Sequence, residues 1–123
     1  MPHIILEYSD NITDNVDEAI ILEELHTTLV ATELYPSQAI KSRCVSHSSY
    51  RVGSGAGNNA FIHLSLAVLP GRSEEQRKDI ADKLFEVVKS RFPKTVADTP
   101  SSITLEIREL DGVSYCKLSS IPE

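Results

Sequence analysis

No tryptophan occurs in the 123 residues, methionine is confined to position 1, and the only cysteines are Cys44 and Cys116. Those two are far apart and form neither a CxxC pair nor a Cys/His ligand spacing, so they read as reduced packing thiols rather than a disulfide or zinc framework. Long hydrophobic runs are also missing. No apolar stretch approaches the roughly 20 residues that cross a bilayer, and membrane association is not expected. Positive charge is scarce, with 12 Lys and Arg against 18 Asp and Glu, a net charge of -6. That balance argues against nucleic acid, because sequence-independent phosphate binding needs clustered cations. The first residues lack a basic segment ahead of a long apolar one, so no secretory leader is expected and the chain is placed in the cytoplasm. His3, His26, His47 and His63 are scattered without the spacing of a metal pair on one helix face, and no metal site is expected.

What is present is ordinary for a soluble globular protein, 41% hydrophobic and 24% charged residues, in a length that fits one domain spanning 1–123. "PHIILEYS" is a strand by its Ile and Leu content, and "DNITDN" behind it carries turn and capping residues. Asn15 with Glu18 has a capping-box spacing, and Ile21, Leu22, Leu25 and Leu29 form a helical stripe that ends before Pro36. In "AIKSRCVSHSSYRV", Ile40, Ser42 and Cys44 alternate with Lys41, Arg43 and Val45, a strand with one polar face.

The second half repeats the order. "AFIHLSLAVL" places Ile62, Leu64, Leu66 and Val68 on one face, with Phe61, His63 and Ser65 on the other. Ser73 and Gln76 repeat the capping box, and Ile80, Ala81, Leu84, Val87 and Val88 line an amphipathic helix running to about Pro93. A loop, "KTVADTPSS", leads to "ITLEIREL", where Ile103, Leu105 and Ile107 alternate with polar residues. Two tandem β-α-β units, about 2–52 and 58–111, predict an α+β fold: a four-stranded mixed sheet with two helices on one face. The other face would stay bare. A small domain cannot expose that much apolar surface, so a second copy of the chain is expected to cover it.

"RVGSGAGNN" contains GxGxG but runs from one strand into another, whereas a phosphate-cradling loop must open a helix. It reads as a flexible, hairpin-like connection. Pro2, taken alone, reads as the first residue of a strand, where a missing N–H is tolerated.

"PHIILEYSDNI", "IKSR", the block "AFIHLSLAVLPGRSEEQRKDIADKLFEVV" and "SITLEIREL", in this order over essentially the whole chain, resemble the 5-carboxymethyl-2-hydroxymuconate Δ-isomerases. These belong to the tautomerase superfamily, together with 4-oxalocrotonate tautomerase. The resemblance implies a mature enzyme lacking Met1, with Pro2 as N-terminal general base, assembled as a homotrimer. It implies an isomerase without metal or organic cofactor that shifts a proton in an unsaturated 2-hydroxy or 2-oxo acid during breakdown of aromatic compounds. Apolar neighbours lower the pKa of a buried amine, and nearby cations do the same. The dienolate that forms, and the carboxylates of a small substrate, need fixed positive partners. Arg72, Arg43 and Lys41 are the candidates, since arginine offers a bidentate fork. The family's strand commonly reads Ile-Arg-Ser-Arg; with Lys41 here the charge is kept and the fork is lost. The alternatives are a hydratase or decarboxylase of the same superfamily, or a non-catalytic trimeric binding module.

Overall fold

In the computed structural model, which describes residues 1–122, the opening alternation becomes strand β1 (His3–Ser9), with Ile4, Leu6 and Tyr8 buried. Helix α1 (Glu18–Val30) follows and buries Ile21, Leu25 and Leu29. Its cap is Asp17, whose carboxylate accepts from the Ile20 N–H, rather than the expected Asn15. Asp17 is the residue directly ahead of the first helical turn, and a side chain two residues further out cannot reach those amides. After a 3-10 turn (Ser37–Ala39) come β2 (Lys41–His47) and β3 (Ala60–Val68). Helix α2 (Glu74–Arg91) starts with the expected capping box, in which Ser73 and Gln76 each accept from the other's backbone N–H. The stretch expected as a loop contains a third, short helix, α3 (Pro93–Asp98). Pro93 occupies its first turn, where its fixed φ suits a helix and its missing N–H costs nothing. Strand β4 (Ser101–Glu109) closes the order.

The sheet runs β2-β1-β3-β4, parallel within each half and antiparallel where β1 meets β3. The α+β architecture is thus the expected mixed sheet. The link from β2 to β3 is not hairpin-like, however, because β1 lies between them. The chain must cross the end of β1, and the connection 48–59 does so through Gly53, Gly55 and Gly57, all with positive φ. At Gly55 a Cβ would stand 2.7 Å from the Arg51 guanidinium, in addition to the strain of φ 79°.

One face of the sheet carries Ile4, Leu6, Ile62, Leu64 and Leu66, all fully buried against Leu25, Leu29, Leu84 and Phe92. Each such side chain contributes roughly 1.5–3 kcal/mol by leaving water. The opposite face carries His3, Glu7, Arg43, His47, Phe61, His63 and Glu106, with His47 2.9 Å from Glu7 and His63 3.1 Å from Glu106. No helix among the described residues is long and apolar enough to cross a membrane.

The short helix α3 is held from a distance. The Asp14 carboxylate accepts from the N–H groups of Lys94 (3.1 Å) and Thr95 (2.7 Å) and from the Thr95 hydroxyl (2.6 Å). Burial favours the neutral acid, but the bonds from Thr95 and Lys94 outweigh it and hold the carboxyl below its ordinary 3.8. A carboxyl depressed on folding stabilises above its unfolded pKa, and that contribution is lost as pH falls through the folded value. Asp14→Ala is therefore expected to cost about 1–2 kcal/mol at neutral pH. Urea titration should show the gap between variant and wild type closing as pH drops below about 4.

Candidate active site

The start of β1 is enclosed on both sides. The Lys41 N–H donates to the Pro2 carbonyl at 3.0 Å. On the other side, the pairing of His3 with Ala67 brings the preceding residue level with Val68, where β3 ends. Pro2 is buried and Met1 half-buried. The segment after β4 turns across the same end, because the Leu110 N–H donates to the Val68 carbonyl at 2.7 Å. This brings Lys117 close enough to act on the terminal amine. Partial burial, then the charges of Lys117 and Lys41, lower the Met1 amine from 8.0 to about 6. An amine at this position is thus largely unprotonated at neutral pH, which is the condition for a base.

The sequence-predicted residues are only partly brought together. Lys41 stands beside the chain start, its ammonium also donating to the Ala39 carbonyl at 3.3 Å. Arg72 lies four residues past Val68 and donates to the Leu34 carbonyl at 2.8 Å, with its guanidinium 4.9 Å from the centre of the Tyr35 ring. Arg43 sits on the face away from the helices, donating to His3 Nδ1 at 3.2 Å. Because arginine only donates, Nδ1 accepts, and Nε2 carries the proton toward the Tyr115 hydroxyl 2.9 Å away. Burial, then Arg43 and Lys41, lower the His3 pKa and keep the ring neutral. Arg72 directly precedes the start of α2, where the amides of Ser73 and Gln76 are already used by the capping box.

Two residues at this end escaped the sequence reading. Lys117 lies beyond the last strand in a segment with no periodicity. Tyr35 precedes Pro36 in a stretch that reads only as a helix stop, yet it is buried and its hydroxyl has no hydrogen-bond partner. Such an orphan costs about 1–3 kcal/mol relative to a satisfied group. Lys117 lines a pocket of about 500 Å³ together with Pro36, Gln38, Ala39, Leu118 and Ile121, and Tyr35 directly precedes its first lining residue in the chain.

Other clusters offer less chemistry. His26 Nε2 is 2.6 Å from Ser42 Oγ at a more open groove along α1. Among the described residues no carboxylate bonds His26, so the pair lacks the orienting third group of a nucleophilic triad. The thiol of Cys44 is pushed up to about 11 by burial and then by Glu18, which makes it unreactive. Among the described residues, no three His, Cys, Asp or Glu side chains converge on a metal-sized site.

Solved structures share this architecture. A fused 4-OT wild-type symmetric trimer superimposes with a TM-score of 0.68 at 13% identity, over 88% of this chain and 85% of that one, a likeness of fold. A 5-carboxymethyl-2-hydroxymuconate isomerase from Deinococcus radiodurans R1 superimposes with a TM-score of 0.90 at 31% identity, over 98% and 90%. The chain is an isomerase with the tautomerase-type α+β fold. The 5-carboxymethyl-2-hydroxymuconate Δ-isomerase of Escherichia coli is 33% identical over 121 residues, 98% of this chain and 96% of the relative. The family model described as CHMI, 5-carboxymethyl-2-hydroxymuconate isomerase, matches residues 2–123, and the chain belongs to that family.

The electrostatics at the chain start can be checked directly. Lys117→Glu exchanges a positive neighbour of the amine for a negative one, so the amine midpoint is expected to move up from about 6 toward 8.0. Titration of the terminal nitrogen by NMR measures it; an unmoved midpoint would show that the tail does not act there.

Proposed function

We propose that the chain, once Met1 is removed, uses the Pro2 nitrogen as general base and acid to isomerise 5-carboxymethyl-2-hydroxymuconate, in the breakdown of aromatic compounds. The observation that carries this reading is the Met1 amine, lowered to about 6 by burial and two lysines, one residue ahead of Pro2. Removing Met1 hands the amine to Pro2, which is the more deeply buried of the two residues. Proline suits the position twice over. As first residue of an interior strand it has no ladder N–H to lose. Its ring also restricts rotation about the N–Cα bond, and so limits the directions in which the nitrogen lone pair can point.

The step is a proton shuttle. The nitrogen lone pair takes the proton of the substrate's 2-hydroxyl, leaving a dienolate, and the resulting ammonium returns a proton to a carbon of the conjugated chain. The hydroxyl becomes the 2-oxo group, one double bond moves, and the amine is regenerated. Charge develops on the oxygen and along the diene, and fixed cations lower the cost of that charge where water is excluded. In this reading Arg72 and Lys41, near the chain start, serve this and hold carboxylates, and Arg43, two residues along β2 on the same face as Lys41, contributes from beside His3. In this reading residues 1–123 form one domain with an internal repeat of about 2–52 and 58–111. Only the first copy begins with a free amine, because the second starts at Asn59 and Ala60 inside the chain.

The assembly belongs to the same proposal. The sheet face with Phe61 and His63 has no helix on it, and the tail presents Val113 at 96% and Leu118 at 100% exposure. Apolar groups so exposed favour a protein partner, and a second and third copy of the chain are the proposed cover. Sedimentation at micromolar concentration is expected to give the mass of three chains; a monomer would overturn this part alone.

The catalytic assignment is tested by Pro2→Ala, with Met1 removal verified by mass spectrometry. General-base catalysis of this kind is worth about 10²–10⁴-fold, so kcat/KM toward 5-carboxymethyl-2-hydroxymuconate should drop by at least roughly 100-fold. Wild-type activity should rise with pH through the midpoint of the Pro2 amine and level off above it, since the unprotonated amine is the active form. An unchanged rate in the processed variant removes Pro2 from the mechanism. Arg72→Ala should raise KM by roughly 10- to 100-fold, with Arg72→Lys falling between, because the charge survives without the fork.

A further inference from the structure

The tyrosines of this chain differ in what their hydroxyls do. Tyr8 donates to the Glu18 carboxylate at 2.5 Å, Tyr115 bonds His3 at 2.9 Å, and Tyr50 is exposed. Tyr35 is only 8% exposed, and its hydroxyl is buried with no partner. A phenylalanine would fill the same core space without leaving a polar atom unsatisfied, so the hydroxyl calls for a reason outside the resting fold. The other buried side-chain oxygens without partners, on Asn11, Thr13 and Ser101, lie at the far end of the sheet, around the 48–59 connection, α3 and the start of β4. Tyr35 is alone among them at the end where the chain begins.

Its neighbour there is Arg72, stacked over the ring at 4.9 Å and bonded to the Leu34 carbonyl at 2.8 Å. Among the described residues no carboxylate pairs with this guanidinium, whereas Arg77 and Arg91 pair with Glu109 and Glu24. The resting Arg72 therefore has an aromatic face and one neutral oxygen in place of an anion. Both are weaker partners than a carboxylate, which accepts two charge-assisted bonds from a guanidinium. From Tyr35 the backbone runs through Pro36 and Ala39, which line the 500 Å³ pocket, to Lys41, whose N–H holds Pro2.

We propose that the Tyr35 hydroxyl is a substrate-binding group, donating a hydrogen bond to the carboxylate that Arg72 takes up. This rests on the reading of the Pro2 end as the active site and adds a neutral donor to it. A carboxylate that draws the guanidinium away from the ring face leaves the hydroxyl beside an anionic acceptor, and the orphan acquires its partner only when substrate is bound. A hydroxyl spent in this way discriminates for an anionic oxygen, since a ligand without one leaves a buried donor unpaired.

The test is Tyr35→Phe, which keeps the ring, its burial and its stacking with Arg72. The variant is expected to melt at or above the wild-type temperature, because no structural hydrogen bond is lost. Its kcat/KM toward 5-carboxymethyl-2-hydroxymuconate should fall roughly 10- to 100-fold, the effect of losing one hydrogen bond to a charged group, with KM rising more than kcat falls. Unchanged kinetics overturn the proposal, and so does a lower melting temperature, which would mean that the hydroxyl has a structural partner. Pro2→Ala, assayed beside it, separates the two claims. If Pro2→Ala is impaired and Tyr35→Phe is not, only the role of Tyr35 fails; if Pro2→Ala is fully active, the site itself has been misplaced.

Discussion

Strand β1 begins at the chain terminus yet is an interior strand, hydrogen-bonded to β2 on one side and β3 on the other. Chain ends are ordinarily the loosest part of a domain. Here the terminus is fastened by the Lys41 N–H on the Pro2 carbonyl and by the pairing of His3 with Ala67, so the terminal amine is held at a defined place at the sheet end. Immobilising an amine there also partly dries it. Burial is the largest influence on its pKa, ahead of Lys117 and Lys41. The lowered pKa of the terminal amine is thus set first by strand order, and the two lysines add to it.

The same strand order divides the molecule into two chemically different faces. Side chains with the parity of Ile4 enter the core beneath α1 and α2, while those with the parity of His3 stand on the other side with Arg43, Glu7 and His63. Lys41 and Arg43 share a strand face, but only Lys41 is level with the chain start. Arg72 reaches that end by another route, through the turn after β3, and rests on Tyr35 and Leu34. A chain of net charge -6 thereby gathers several cations at one end of one sheet. Local placement rather than overall charge decides what such a site can bind.

Much of the fold was legible because its signals are local. The Ser73 and Gln76 capping box formed as read, since its two bonds span three residues. The alternation in "AFIHLSLAVL" put the same residues inward as in the structure. Where the reading slipped, the deciding partner was remote or the local choice was close. Asp17 displaced Asn15 at the start of α1 by position alone. Helix α3 depends on Asp14, about 80 residues away, to satisfy its first amides, so "KTVADTPSS" carries little sign of it. The connection 48–59 looked like a hairpin because neighbouring strands commonly pair, and nothing in its glycines tells that β1 will lie between β2 and β3.

The candidate site divides along the same line. The sequence by itself determined the alternating strands, the two amphipathic helices, the family, and the presence of Pro2, Lys41, Arg43 and Arg72, because residue type and short-range periodicity are properties of the chain. Only the tertiary structure decided that Lys117 comes back to the amine, that Arg43 bonds His3, and that the Tyr35 hydroxyl is buried without a partner. Those facts are distances between residues far apart in the chain, and they exist only after strand pairing and helix packing have closed the intervening loops.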